Sequence, residues 1–181
     1  MNLDKAIQRF AGDVARENEL RNLMANAIVA QLIGAGVVKG GTGLKFRYGE
    51  DMSRVTLDLD TAWRTGLDEF LRDLKSRLAS GWCGFTGEVV VNRPASPRGV
   101  PFEYVMQPCD VKLSYLGRPW YTVQLEVGHN EIGDADGCDT FRFTKKEGSE
   151  AQGTDIEVSL YDHVKGDEHE KAYLGDAAIW R

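Results

Sequence analysis

The sequence predicts an α+β fold, a mixed β-sheet flanked by helices. Three observations carry that reading. Apolar residues recur at helical spacing through residues 4–33. Two alternating segments flank a turn at Leu116-Gly117-Arg118-Pro119, the pattern of a β-hairpin. Between them, VVKGGTGLKFRYGEDMSRVTLDLD runs from a short apolar strand through a glycine turn and a helix into a second strand.

In the first segment Ala6, Ile7, Phe10, Val14, Leu20, Leu23, Ile28 and Leu32 fall near one helical face. A break near Glu17 to Glu19 would give two helices, and Gly34 and Gly36 stop the pattern. Val37 and Val38 make a short buried strand. Gly40, Gly41 and Thr42 then turn the chain into a helix over residues 42–48, and a strand follows over residues 54–60. That strand ends in Asp58 and Asp60. Residues two apart share a strand face, roughly 6.5–7 Å from each other. Both carboxylates therefore point one way, and Val55, Leu57 and Leu59 point into a core. Leu67, Phe70, Leu71, Leu74 and Leu78 line a helix over residues 65–79, which Gly81 ends.

Residues 88–92 form a strand, and residues 93–101, with three prolines and a glycine, form a loop. Residues 102–107 read as extended. The hairpin arms cover residues 109–115 and 120–127. Val111, Leu113 and Tyr115 share one face, as do Tyr121, Val123, Leu125 and Val127; Asp110, Lys112, Ser114, Thr122, Gln124 and Glu126 take the other. From Asp134 the chain turns polar and charged, with one strand at residues 155–161 and a flexible turn or disordered loop at residues 145–153.

A chain of 181 residues can bury a core without disulfides or a structural metal, and one domain is the default. No apolar run approaches the ~18 residues of a membrane span. The start, MNLDKAIQRF, lacks a secretory pattern. Cys83, Cys109 and Cys138 are widely spaced and odd in number, which fits free thiols in a reducing cytoplasm. A net charge of −6 argues against a broad phosphate-gripping surface, and Arg93, Arg98 and Arg118 are scattered.

Candidate chemistry gathers around the glycine turn. Glycines let backbone N–H groups approach an anion, and a helix start adds partial positive charge. The Thr42 hydroxyl can donate to a phosphate oxygen; equally, Thr42 can be a plain N-cap. Walker and dinucleotide-binding motifs are excluded: no lysine stands between Gly41 and Thr42, and Lys39 occupies a required glycine position. Glu126 interrupts an apolar strand. A hairpin turning about Gly117-Arg118 sets Asp110 opposite Glu126 and Lys112 opposite Gln124. A third carboxylate beside Asp58 and Asp60 would complete an oxygen site suited to Mg²⁺. His129 follows this strand, as a nucleotide contact or a loop hydrogen-bonder; His163 and His169 suggest no zinc site.

Lys39-Gly40-Gly41-Thr42, Tyr48-Gly49 and Arg54-Val55-Thr56-Leu57-Asp58-Leu59-Asp60 together resemble the nucleotidyltransferase toxins of the AbiEii/AbiGii type, in the polymerase-β-like nucleotidyltransferase superfamily. The stretch from Cys109 to Asp136 resembles the segment that carries the family's third acid. The resemblance spans roughly residues 28–136. It implies a nucleotidyltransferase-like core with its N-terminal helical segment over residues 1–133, and a divergent polar C-terminal extension over residues 134–181.

The resemblance also implies roles. Asp58, Asp60 and Glu126 would be catalytic and hold Mg²⁺. Lys39, Gly40, Gly41, Thr42 and Arg54 would meet the nucleoside triphosphate. Lys39 would neutralise phosphate or brace the turn; Arg54 would orient the acids, contact phosphate or form a structural ion pair. After Asp136 the pattern departs from typical members, and Lys145 and Lys146 do not match the family's helix-start lysine. The expected function is Mg²⁺-dependent transfer of a nucleotide from a triphosphate to an RNA hydroxyl, with transfer RNA as acceptor, in a toxin–antitoxin or phage-defence setting in the cytoplasm. A cognate antitoxin is the expected protein partner, and no membrane is involved. The alternative is a shortened non-catalytic protein of the same fold that binds nucleotide or a partner protein.

Overall fold

The structure, a computed structural model, describes residues 3–48, 56–95, 101, 104–130, 138–142 and 155–159. These residues form four helices and a seven-stranded mixed sheet. In chain order the elements are α1 (Leu3–Ala11), α2 (Val14–Gln31), β1 (Gly36–Lys39), α3 (Gly40–Tyr48), β2 (Leu59–Trp63), α4 (Leu67–Ser80), β3 (Phe85–Val91), β4 (Gln107–Tyr115), β5 (Arg118–Gly128), β6 (Cys138–Arg142) and β7 (Asp155–Ser159). The strand order is β3-β4-β5-β2-β1-β7-β6. The pairs β2–β5 and β1–β7 are parallel, and the other neighbours are antiparallel. The α+β reading holds, and residues beyond 133 add two strands to the same sheet.

The first helical segment breaks at Gly12-Asp13, not near Glu17 to Glu19. Cap chemistry decides this. The Asp13 carboxylate accepts the Arg16 N–H at 2.9 Å and starts α2. Glu17 and Glu19 sit inside the helix, engaged by Arg21 at 2.7 Å and Arg16 at 2.9 Å.

One face of the sheet carries the main core. Val38, Leu59, Val111, Leu113, Val123, Leu125 and Val127 pack there against Ile28 and Val29 of α2 and Phe70, Leu74 and Leu78 of α4. Burying each such side chain contributes about 1.5–3 kcal/mol. Among the described residues, the opposite face holds a small cluster of Val37 and Ala62, with Cys138 against it.

The strand expected over residues 54–60 starts later, at Leu59, so Asp60 is its second residue and Asp58 stands just ahead of it, rather than both closing its end. The partner strand explains the shift. β1 ends at Lys39, which pairs with Asp60, and the chain then leaves the sheet into α3. Leu57, ahead of the ladder, is 62% exposed instead of entering the core. The hairpin register also differs. Its turn is Leu116-Gly117, with φ of +48° and +77°, the signature of a two-residue primed turn. With a bulge between Leu113 and Ser114, Asp110 faces Gln124, Lys112 faces Thr122, and Glu126 faces Pro108.

β6 escaped the sequence reading. Arg54, Val55, Lys145, Lys146, the 145–153 loop, His163 and His169 lie outside the described residues. Among the described residues, no helix is long and apolar enough to cross a membrane.

Candidate active site

Asp60 is the second residue of β2 and pairs in parallel register with Glu126 of β5. On its other side it pairs with Lys39 of β1. Directly paired residues point to the same side of a sheet. Lys39, Asp60, Glu126 and Pro108 therefore form one row across four strands. Neighbouring strands lie about 4.8 Å apart, so the two carboxylates spring from adjacent backbone positions. Leu59, Thr61, Leu125 and Val127, one residue either side, are fully buried on the opposite face. The hydrophobic alternation thus dictates which way the acids point. Thr61 adds a tie between these strands, its hydroxyl donating to the Glu126 carbonyl at 3.1 Å.

Gly40, Gly41 and Thr42 begin α3 itself, so Thr42 lies inside the helix rather than at its N-cap. Each of the three meets the aspartate segment. Gly40 has φ +65°, and a Cβ there would stand 3.1 Å from the Asp60 Cγ with a carboxylate oxygen closer still. A Cβ on Gly41 would lie 3.0 Å from the Thr56 Cβ. The Thr42 hydroxyl donates to the Asp58 carbonyl at 2.8 Å. Thr42 is fully buried, so its hydroxyl is committed to this backbone contact. The motif acts in this structure as a saddle on which residues 56–60 rest.

Lys39 is only 6% exposed. Its Nζ lies 3.3 Å from where a Cβ on Gly128 would stand, so the side chain crosses β2 toward β5 on the acidic face. A buried ammonium needs nearby negative charge, and the register supplies it at Asp60 and Glu126. Asp58 and Asp110 are partly exposed; Asp110 is on the same face as Glu126, one step along β4. The structure brings Asp60, Glu126, Lys39 and Gly40 together, with Asp58 just ahead of β2. Arg54 lies outside the described residues. His129 meets the Trp63 ring in a tilted contact, with ring centroids 4.3 Å apart and the planes at 56°, and Trp63 packs against the main core.

Sequence reasoning missed the support beneath Asp58. Asn22 donates to the Leu57 carbonyl at 3.0 Å and to the Tyr121 hydroxyl at 3.3 Å. Asn26 donates to Asn22 Oδ1 and to Thr42 Oγ1, both at 3.4 Å. Asn26 is 1% exposed, and its Oδ1 has no partner. An unsatisfied buried acceptor costs about 1–3 kcal/mol. The available signal was two asparagines four residues apart on the helix face that also carries Ala25, Ile28 and Val29.

The family model described as nucleotidyl transferase AbiEii toxin, type IV toxin–antitoxin system, matches residues 22–171. No curated protein matches the chain in sequence. Among solved structures, MenT4, a nucleotidyltransferase toxin from Mycobacterium tuberculosis, is similar at 17% identity and a TM-score of 0.55, over 88% of this chain and 55% of that one. JHP933 from Helicobacter pylori matches at 17% identity and a TM-score of 0.41, over 79% of this chain and 52% of the other. An antigenic nucleotidyltransferase-like protein from Paracoccidioides brasiliensis matches at 16% identity and a TM-score of 0.40, over 78% of this chain and 61% of the other. The chain spans a little over half the length of these structures. With a model match over 150 of its residues (22–171), the chain belongs to the AbiEii nucleotidyl transferase toxin family.

Proposed function

We propose that this chain transfers a nucleotide from a nucleoside triphosphate to a hydroxyl of an RNA acceptor, with transfer RNA the class to test first. The observation that supports it is the in-register placement of Asp60 and Glu126 on one sheet face, beside the glycine start of α3. The donor set consists of carboxylates alone, the chemistry that suits Mg²⁺ rather than zinc. Gly40 leaves the Asp60 carboxylate room that any side chain would fill. Asp60 and Glu126 would hold the ion, and Asp58 would join them. Among the described residues no three acidic, histidine or cysteine side chains already stand together as a metal group, so Asp58 has to swing in.

Bound there, magnesium would neutralise charge on the phosphates and favour ionisation of the attacking hydroxyl. The protein's own part is alignment. Backbone N–H groups at the start of α3 offer donors to phosphate oxygens. Lys39 keeps positive charge beside the carboxylates. The acceptor oxygen attacks the α-phosphorus, its proton passes to a carboxylate of the pair, and pyrophosphate leaves. This chemistry belongs in the cytoplasm, with a cognate antitoxin as the protein partner and growth arrest or phage defence as the outcome.

The test is incubation of the chain with each labelled triphosphate, magnesium and total transfer RNA. Label on RNA that disappears with Asp60→Asn supports the reading. Labelling that survives Asp60→Asn at the wild-type rate overturns it. A second reading is a nucleotide- or partner-binding protein that performs no transfer, favoured by the carboxylates not being drawn into a single cluster. Triphosphate binding without label transfer would select it.

A further inference from the structure

We infer that Asn22, Asn26 and Thr42 are positioning residues: a buried polar relay running from α2 through α3 that holds the backbone of Leu57 and Asp58 and so sets the cation affinity of the acidic face. The inference rests on the metal reading above, but its geometry stands apart from it. Two successive carbonyls are gripped by two different side chains. Asn22 takes Leu57 at 3.0 Å and Thr42 takes Asp58 at 2.8 Å. Asn26 bridges the two grips at 3.4 Å on each side. Tyr121 anchors the far end to β5, the strand that carries Glu126.

The location gives the relay its purpose. Residues 57 and 58 precede β2, so no ladder hydrogen bond orders them. Carbonyls in that position need other partners. Asp58 is the acid that must approach Asp60 and Glu126, and its backbone is the part the relay constrains. Asn22 and Asn26 are 6% and 1% exposed, so neither can touch a nucleotide. An apolar residue at Asn26 would avoid a stranded acceptor, yet the amide is present, and its donor group is what the relay uses.

The experiment compares Thr42→Val, Thr42→Ser, Asn26→Leu and the Thr42→Val/Asn26→Leu double variant with the parent chain. The first readout is Mn²⁺ binding by electron paramagnetic resonance, without nucleotide. The second is amide hydrogen exchange at Asp58, Leu59 and Asp60. Thr42→Val and Asn26→Leu should each weaken Mn²⁺ binding about tenfold, as loss of outer support does at metal sites. The double variant should add little, because both changes break one chain of contacts. Thr42→Ser, which keeps the hydroxyl, should restore affinity. Exchange should accelerate at the three amides in the first two variants while the thermal midpoint changes modestly.

Unchanged exchange and unchanged Mn²⁺ affinity in folded Thr42→Val and Asn26→Leu would overturn the relay. Additive losses in the double variant would also overturn it as a single unit. If the parent chain binds no Mn²⁺ but exchange still accelerates, the metal reading fails while the positioning of the segment is supported.

Discussion

Asp60 and Glu126 are direct register partners on adjacent parallel strands, two like charges side by side on a face whose reverse is solid hydrophobic core. Like charges directly opposite in a sheet are destabilising. Neutralising Glu126 removes that repulsion and leaves Asp60, the direct register partner of Lys39, as the countercharge of the buried ammonium. Glu126→Gln should therefore leave the urea midpoint unchanged or slightly higher while removing at least about 100-fold of transfer activity, the pattern of a functional strain. A large loss of stability with activity intact would contradict it. If transfer persists at the parent rate, Asp110, on the same face, becomes the third acid to test.

Gly40 and Gly117 both have positive φ, +65° and +77°, but their surroundings differ. A Cβ at Gly117 meets nothing within 4 Å, whereas one at Gly40 runs into the Asp60 carboxylate. Alanine at either site carries the left-handed penalty of about 1–2 kcal/mol. Gly117→Ala should show that destabilisation alone, with transfer activity intact. Gly40→Ala should show it together with loss of transfer and of divalent-cation binding. Chemical denaturation and label transfer on both variants check the contrast; equal behaviour would mean that the Gly40 contact does not shape the site.

Much of this arrangement was legible in the chain itself. Leu59 on one strand, and Val123, Leu125 and Val127 on the other, announce a buried face, and the acids beside them must then face away from it. What was not legible depends on contacts between distant segments. Where β2 begins is set by where β1 stops pairing, at Lys39 with Asp60, which no local pattern records. The hairpin register depends on φ at Leu116, a residue whose type does not favour the left-handed region. The support beneath Asp58 joins Asn22, Thr42 and Tyr121. Each is unremarkable alone, and only the fold brings them together. β6 was missed because its five residues, CDTFR, are short and half polar.

Cys109 lies inside β4, 1% exposed, and burial pushes its thiol up to about 11 from 9.0, with Asp110 adding to the shift and Lys75 opposing it. A raised thiol pKa means that the fold favours the neutral form. That stability is fully present below 9.0 and is lost as pH rises toward about 11. Unfolding free energy should fall through that window, and Cys109→Ala should flatten the fall. Alkylation should also discriminate: Cys83, exposed in its turn, should react under native conditions at mild alkaline pH, and Cys109 only after unfolding. Equal native reactivity of the two would show that the β4 core opens freely.

Lys39 admits two roles, phosphate contact and brace, and substitution by methionine separates them. Methionine keeps the buried stem and removes the charge. As a brace, Lys39 offsets the repulsion between Asp60 and Glu126, its neighbours along the row. Lys39→Met should then lose about 1–3 kcal/mol of stability in metal-free buffer. Millimolar magnesium should return much of it, because a divalent cation replaces the missing charge and stabilises only the folded chain. As a phosphate contact, Lys39 would instead show near-parent stability with and without magnesium, and a raised KM for the triphosphate. Its 6% exposure and the lie of its Nζ over Gly128 favour the brace. Urea titrations of the variant, with and without magnesium, decide the matter, and a stability loss that magnesium does not touch would sink the countercharge role.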